Sequence, residues 1–136
     1  MAERAAAVLT LPDGRWVMQR RTDDAPSNPG KLGWFGGGLE QGETPEQAVR
    51  RELGEETSLL VGRLAFTLAG SAMVPAGSQN AAPFRIHLFY VPIPDTDFEA
   101  FEGKGIEVHV PETLRVRDDL SAVVQAALPE LIGRGA

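Results

Sequence analysis

Cysteine is absent from these 136 residues, and the chain holds a single tyrosine, two histidines and two tryptophans. Lack of cysteine excludes a disulfide framework, thiolate metal sites and a thiol nucleophile, and it predicts a reducing, cytoplasmic setting. Bases are also in deficit: 13 Lys+Arg face 19 Asp+Glu, for a net charge of -6. Broad binding to nucleic acid or acidic lipid wants a basic face, so no stable nucleic-acid partner is expected. Long hydrophobic runs are missing too. The apolar stretch at residues 5–11 spans seven positions, against roughly 20 for a bilayer crossing. Pro12-Asp13-Gly14 then turns the chain, which argues against a signal segment or any membrane role.

What is there suits one ordinary globular domain over residues 1–136, with 43% hydrophobic and 24% charged residues. Strands are predicted near residues 4–11 and 15–21, joined as a hairpin, followed by a Pro/Asn/Gly-rich surface loop over 23–30. Gly36-Gly37-Gly38 reads as a glycine-rich turn. Thr44-Pro45-Glu46-Gln47 signals a helix start, with Thr44 as N-cap, proline in the first turn and Gln47 closing a capping box. A β-like stretch follows at about 62–73, then a loop-like segment at 75–82. Residues 84–91 read as a buried central strand with Phe84, Ile86, Leu88 and Tyr90 on one face. A short strand is expected near 106–110, and a C-terminal helix capped by Asp118 or Asp119 and shortened or kinked at Pro129. Several strands and two main helices make an α/β or α+β domain.

The negative charge is concentrated. Between Glu40 and Glu56 six acids face two bases, a net of −4, so the other 119 residues share only −2 of the total. Glu52, Glu55 and Glu56 stand at i, i+3 and i+4, which places three carboxylates on one helical face. Each like-charged pair costs roughly 0.2–0.5 kcal/mol, and the helix dipole disfavours acids at that end. A solvated charged face is one reading of this pattern. The other is a socket for hard cations such as Mg²⁺ or Mn²⁺, which take oxygen ligands and leave positions for a phosphate. Phosphoanhydride hydrolysis fits such a site, because it needs charge neutralised and a water activated and placed. Nearby glycines allow backbone to come close to a metal or phosphate.

Gly37, five residues, Glu43, seven residues, and Arg51-Glu52-Leu53-Gly54-Glu55-Glu56-Thr57-Ser58-Leu59 together resemble the Nudix box. The flanking residues 31–36 and 44–48 are family-like as well. The resemblance implies an α/β/α sandwich with a mixed sheet. It implies a metal site built from Glu52, Glu55, Glu56 and the Gly36 carbonyl, joined by a glutamate from a later loop. Glu102 suits that place best, ahead of Glu99 and Glu107. Glu52 is the first choice for general base and Glu102 the second. Glu43 and Arg51 are expected to form a structural ion pair. The implied activity is attack of water on a nucleoside diphosphate linked to another group. A small nucleotide is the expected substrate, for a monomer or homodimer; a Nudix-fold binding module without turnover is the alternative.

Two positions, Ser58 and Phe35, depart from the family pattern, and Gly54 conflicts with local helix propensity. Ser58 replaces the glycine that closes the box helix; at a left-handed residue, serine would cost about 1–2 kcal/mol. Gly54 lies inside the helix at a cost of roughly 1 kcal/mol against alanine. Phe35 stands where proline is common, and is expected to reshape the substrate pocket. Arg20, Arg21, Lys31 and Phe35 are the candidates for contacts to substrate phosphates or base. Trp34 is weighed as a stacking residue or as core. His87 and His109 are expected to be structural, and Thr113 and Ser121 have no setting for nucleophilic catalysis.

Overall fold

The strand β1 (Ala2–Thr10) carries most of the architecture, because other chain segments cover both its edges and both its faces. The computed structural model describes residues 1–77 and 80–133. Along one edge, β1 pairs in parallel with β6 (Phe84–Pro92), from Ala2 opposite Phe84 to Thr10 opposite Pro92. Along the other edge two strands share it. Arg4–Ala7 pair antiparallel with β4 (Phe35–Gly38), while Leu9 and Thr10 pair with Val17 and Trp16 of β2 (Trp16–Arg20). β2 also pairs with β3 (Leu32–Gly33) and β7 (Ile106–His109), and β5 (Thr67–Val74) closes the far side against β6. The result is a seven-stranded mixed sheet.

Both faces of that sheet are covered. Helix α1 (Pro45–Glu56) packs Ala48, Val49 and Leu53 onto Ala5, Ala7, Leu9, Phe35, Phe89 and Val91. Helix α2 (Ala122–Ile132) packs Val124, Ala127 and Leu128 against Val8, Trp34, Ile86 and Leu88. Period-2 alternation therefore sends odd residues of β1 to one core and even residues to the other. The fold is an α/β/α sandwich. Phe84, Ile86, Leu88 and Tyr90 share the α2-side core, and β6 is an interior strand, flanked by β1 and β5.

Local chemistry explains several boundaries. Thr44 Oγ1 accepts from the Gln47 N–H at 3.1 Å and the Gln47 carboxamide accepts from the Thr44 N–H at 2.9 Å, a complete capping box. Gly36–Gly38 is strand, contrary to the turn expected from its glycines. Its register puts Gly36 opposite Ala6, where a Cβ on Gly36 would strike the Ala5 carbonyl oxygen. Glycine here serves close approach, not reversal. At the second helix Ser121, rather than either aspartate, is the N-cap and accepts from the Val124 N–H at 3.3 Å. Asp119 is engaged elsewhere. The helix also runs through Pro129 to Ile132. A 3₁₀ segment at Pro111–Val116 had no sequence signal that periodicity could read.

Asp119 belongs to a partly buried ion network on the outer strands. Arg20 forks onto Glu107 (2.7 and 2.9 Å), reaches Asp119 at 2.8 Å, and donates to the Gly30 carbonyl at 3.2 Å. Arg117 makes two further bonds to Asp119, and His109 approaches Glu107 at 3.0 Å. Hydrogen bonds from Arg20 hold the Glu107 carboxyl down at about 2. Arg20→Met should therefore destabilise the fold by roughly 1–3 kcal/mol, since two carboxylates lose charged donors. Urea unfolding of the two proteins measures it.

Candidate active site

The site forms where the C-terminal half of α1 lies across β4. Capping fixes the start of the helix, and its apolar stripe fixes its rotation, so the opposite edge of that stripe delivers Glu52 and Glu56 to the strand. Glu56 is 7% exposed, and one of its oxygens accepts the Gly36 N–H at 3.0 Å. Glu52 packs against Gly37 so closely that a Cβ there would lie 2.6 Å from its carboxylate. Neither contact survives a side chain on β4.

Burial and like charge act together on these carboxyls. Desolvation, followed by the charges of Glu52 and Glu102, pushes Glu56 up to about 8, although the Gly36 N–H opposes the shift. Glu52 is raised as well, chiefly by burial; Arg51 opposes this while Glu55 and Glu102 add to it. Glu55 stands outward, its side chain 59% exposed, with a long 3.5 Å contact to Arg51. Among the described residues, no group of three acids or histidines is already gathered tightly enough to hold an ion. Glu52 leans to Arg51 at 2.9 Å and Glu56 to Gly36, as mutually repelling carboxylates do when nearer donors exist. The donor set nonetheless suits a hard divalent cation. It consists of carboxylate oxygens on flexible stems, one of them buried and costly to ionise without a positive partner.

Arg51 organises the outer rim. It forks onto Glu43 at 2.8 and 2.9 Å, and also reaches Glu52, the Gly38 carbonyl and Glu40. Its hydrogen bonds draw Glu43 down to about 2. The loop over residues 39–44 is thereby clamped to the helix.

Helix α1 continues through Gly54 and ends at Thr57, whose backbone is extended at φ -140 and ψ 165. No left-handed residue closes it. Ser58 therefore carries none of the cost that a missing glycine implied; Asn28 is the only described non-glycine residue with positive φ. Instead the Ser58 N–H donates to the Glu99 carbonyl at 3.0 Å, and the Ser58 hydroxyl accepts the Glu99 N–H at 2.8 Å. This pair ties the loop bearing Glu102 to the end of the helix.

The remaining candidates separate cleanly. A small cleft of about 80 Å³ opens beside Gly36 and Gly37, lined also by Arg4, Arg21, Trp34 and Ser121. Arg21 keeps its position through the Ser27 carbonyl at 2.8 Å. Arg20 does not line this cleft; its guanidinium is spent on Glu107, Asp119 and Gly30. Phe35 is fully buried under α1, so its side chain offers no surface to a ligand. Lys31 is half-buried at the end of the preceding loop and lines none of the cleft. Trp34 packs edge-on against Trp16 at 5.6 Å, and its indole Nε1 is buried with no conventional hydrogen-bond acceptor among the described residues. Sequence reasoning missed Arg4, which sits on β1 opposite Gly38 and becomes a cleft residue only through strand register. His87 and His109 meet Glu3 and Glu107, in structural roles.

Comparison with known proteins agrees with this geometry. The family model for the NUDIX domain matches residues 1–119. The chain belongs to the Nudix family. By that membership it is a Nudix pyrophosphohydrolase, a hydrolase of phosphoanhydrides. Among solved structures it resembles a MutT protein from Methanosarcina mazei Go1, with 19% identity and a TM-score of 0.76 over 91% of this chain and 87% of the other. It also resembles the E. coli dihydroneopterin triphosphate pyrophosphohydrolase (19%, TM-score 0.71, 90% and 92%). The C. elegans Ap4A hydrolase is a third (16%, TM-score 0.64, 87% and 87%). At these identities the likeness is one of fold. No curated protein sequence matches.

The raised Glu56 carboxyl makes stability depend on pH with a definite sign. An unfolded carboxyl releases its proton near 4.5, whereas the folded one holds it up to about 8. Folding therefore takes up a proton between those values, and the associated stability is complete below 4.5 and lost as pH rises through 8. Metal-free Glu56→Gln should match the native protein in Tm at pH 5 and exceed it by about 5 °C at pH 8. Thermal melts across that interval measure the difference.

Proposed function

We propose that this Nudix enzyme is a Mg²⁺- or Mn²⁺-dependent hydrolase of a small nucleotide, most simply a nucleoside triphosphate. The observation that carries the reading is the placement of Glu52 and Glu56 against Gly36-Gly37, beside a cleft with arginines on its walls. Glu52, Glu55, Glu56 and the Gly36 carbonyl would hold the cation, with Glu102 joining from its loop. A bound divalent ion supplies Lewis-acid neutralisation of phosphate charge and lowers the pKa of water.

The protein's own groups do the rest. Arg21 and Arg4 bind anionic oxygens from the side opposite the carboxylates, fixing the polyphosphate across the cleft. Trp34, Ala6 and Ile86 give that cleft an apolar wall for the organic part of the substrate. Glu52 is the group to accept a proton from the attacking water, since burial raises its basicity while one edge stays open. Arg51 holds Glu52 by one oxygen and so orients the other. The net charge of the chain disfavours a long RNA substrate.

Glu55→Gln and Glu56→Gln should each lower kcat/KM by about 10–100-fold or more while leaving the circular dichroism spectrum intact. Full activity in either variant would remove these residues from the site. Millimolar Mg²⁺ should raise the Tm of the native protein, since a ligand of the folded state stabilises it, and the Glu56→Gln shift should be smaller. Arg21→Ala should raise KM about tenfold with little change in kcat, as loss of uniform binding does. A panel of nucleoside triphosphates, dinucleoside polyphosphates and nucleotide sugars, with products identified, tests the substrate class.

A further inference from the structure

Gln19 is polar, 4% exposed and placed near the end of β2, yet none of the chemistry above uses it. Its carboxamide Nε2 donates to the backbone carbonyl of Glu102 at 3.0 Å, a bond between residues 83 positions apart. Such a side chain could serve only to satisfy its own buried amide. The surroundings indicate more.

The loop over residues 99–105 is pinned on both sides of that bond. Towards α1, the Phe101 N–H donates to the Glu56 carbonyl at 2.8 Å, and Ser58 and Glu99 exchange two bonds. Towards β2, the Lys104 N–H donates to the Arg20 carbonyl at 2.8 Å and the Arg20 N–H donates to the Gly105 carbonyl at 3.1 Å. Gln19 holds the apex between these two sets. Gly103 makes room for it: at φ +79, a Cβ there would lie 2.5 Å from the Arg20 carbonyl and 3.1 Å from Gln19 Nε2. The backbone of Glu102 is thus fixed from three directions. Its side chain is exposed and, among the described residues, makes no hydrogen bond or ion pair. A rigid backbone beneath an uncommitted carboxylate is the arrangement expected of a ligand that must be offered without being spent.

We propose that Gln19 is a positioning residue for Glu102, setting through the Glu102 carbonyl how far its carboxylate reaches towards Glu52 and Glu56 and hence how tightly the site takes a divalent cation. Glu102 already lies near enough to those two acids for its charge to oppose their ionisation. This inference rests on the reading of Glu102 as a site residue.

A double-mutant cycle tests it, using Gln19→Met, which keeps length and loses the donor, and Glu102→Ala. The readouts are the Tm rise on titrating Mg²⁺ and the half-activating Mg²⁺ concentration. In the native background Gln19→Met should weaken both by about tenfold in Mg²⁺ concentration, with kcat at saturating metal much less affected. In the Glu102→Ala background it should change neither further, the signature of two residues acting through one group. An equal cost in both backgrounds, or a lower Tm with unchanged Mg²⁺ dependence, overturns the proposal and leaves Gln19 as packing alone. Should Gln19→Met fail to fold, Gly103→Ala enters the same cycle, because it displaces the same loop with Gln19 intact. Failure of the functional reading is separate: native protein that neither responds to Mg²⁺ nor hydrolyses any nucleotide in the panel.

Discussion

Two missing side chains set the geometry on which everything else rests. Gly36 and Gly37 let β4 lie flat between β1 and α1, so that Glu56 can reach a backbone N–H and Glu52 can press against the strand. Any Cβ at either position would collide, with the Ala5 carbonyl in one case and the Glu52 carboxylate in the other. Alanines at 5, 6 and 7 of β1 belong to the same accommodation: small residues on the central strand bring the sheet and both its cores into close register. An acidic helix face is thereby set against backbone rather than against solvent, and carboxylates that water would keep ionised become weak acids.

Electrostatic strain of this kind needs support around it, and the chain supplies it with arginine. Arg51 ties Glu43, Glu52, Glu40 and the Gly38 carbonyl to one planar fork. Arg20 does the same for Glu107, Asp119 and the Gly30 carbonyl on the outer strands. Guanidinium suits both places because it stays charged and offers donors in fixed directions. The two clusters differ in consequence. Around Arg20 every carboxylate is matched and its proton affinity falls; at the Glu52–Glu56 face the acids outnumber the donors and proton affinity rises. Unbalanced charge, not charge as such, marks the site.

Legibility of these features in the sequence followed how local their causes are. The capping box of α1 and the alternation in β6 are each written within a few residues, and the structure has them at those places. Gly36–Gly38 misled because glycine tolerates a turn and a close approach equally well, and only pairing with β1 decides between them. Asp119 looked like a helix cap for the same reason: its real partners, Arg20 and Arg117, include one 99 residues away. Ser58 looked costly against a family pattern, but the helix ends at Thr57 in extended backbone, so the assumed strain never arises. Arg4 and Gln19 were invisible, since each draws its meaning from a strand neighbour or loop remote in sequence.

The acid surplus also changes what net charge means for such a molecule. A chain carrying -6 should repel phosphates at long range, yet Arg4 and Arg21 line the same cleft as Gly36 and Gly37. Screening reduces the long-range penalty over roughly 8–10 Å at physiological salt, while local charges in a partly buried cleft are screened far less. A divalent cation among the carboxylates would then complete a site in which positive charge faces the polyphosphate from both walls. On the proposed reading, Glu102 would add the one carboxylate that the helix does not bring. Its backbone is tied both to β2, through Gln19 and Arg20, and to the end of α1, through the Glu56 carbonyl and Ser58, so strand and helix meet at this loop.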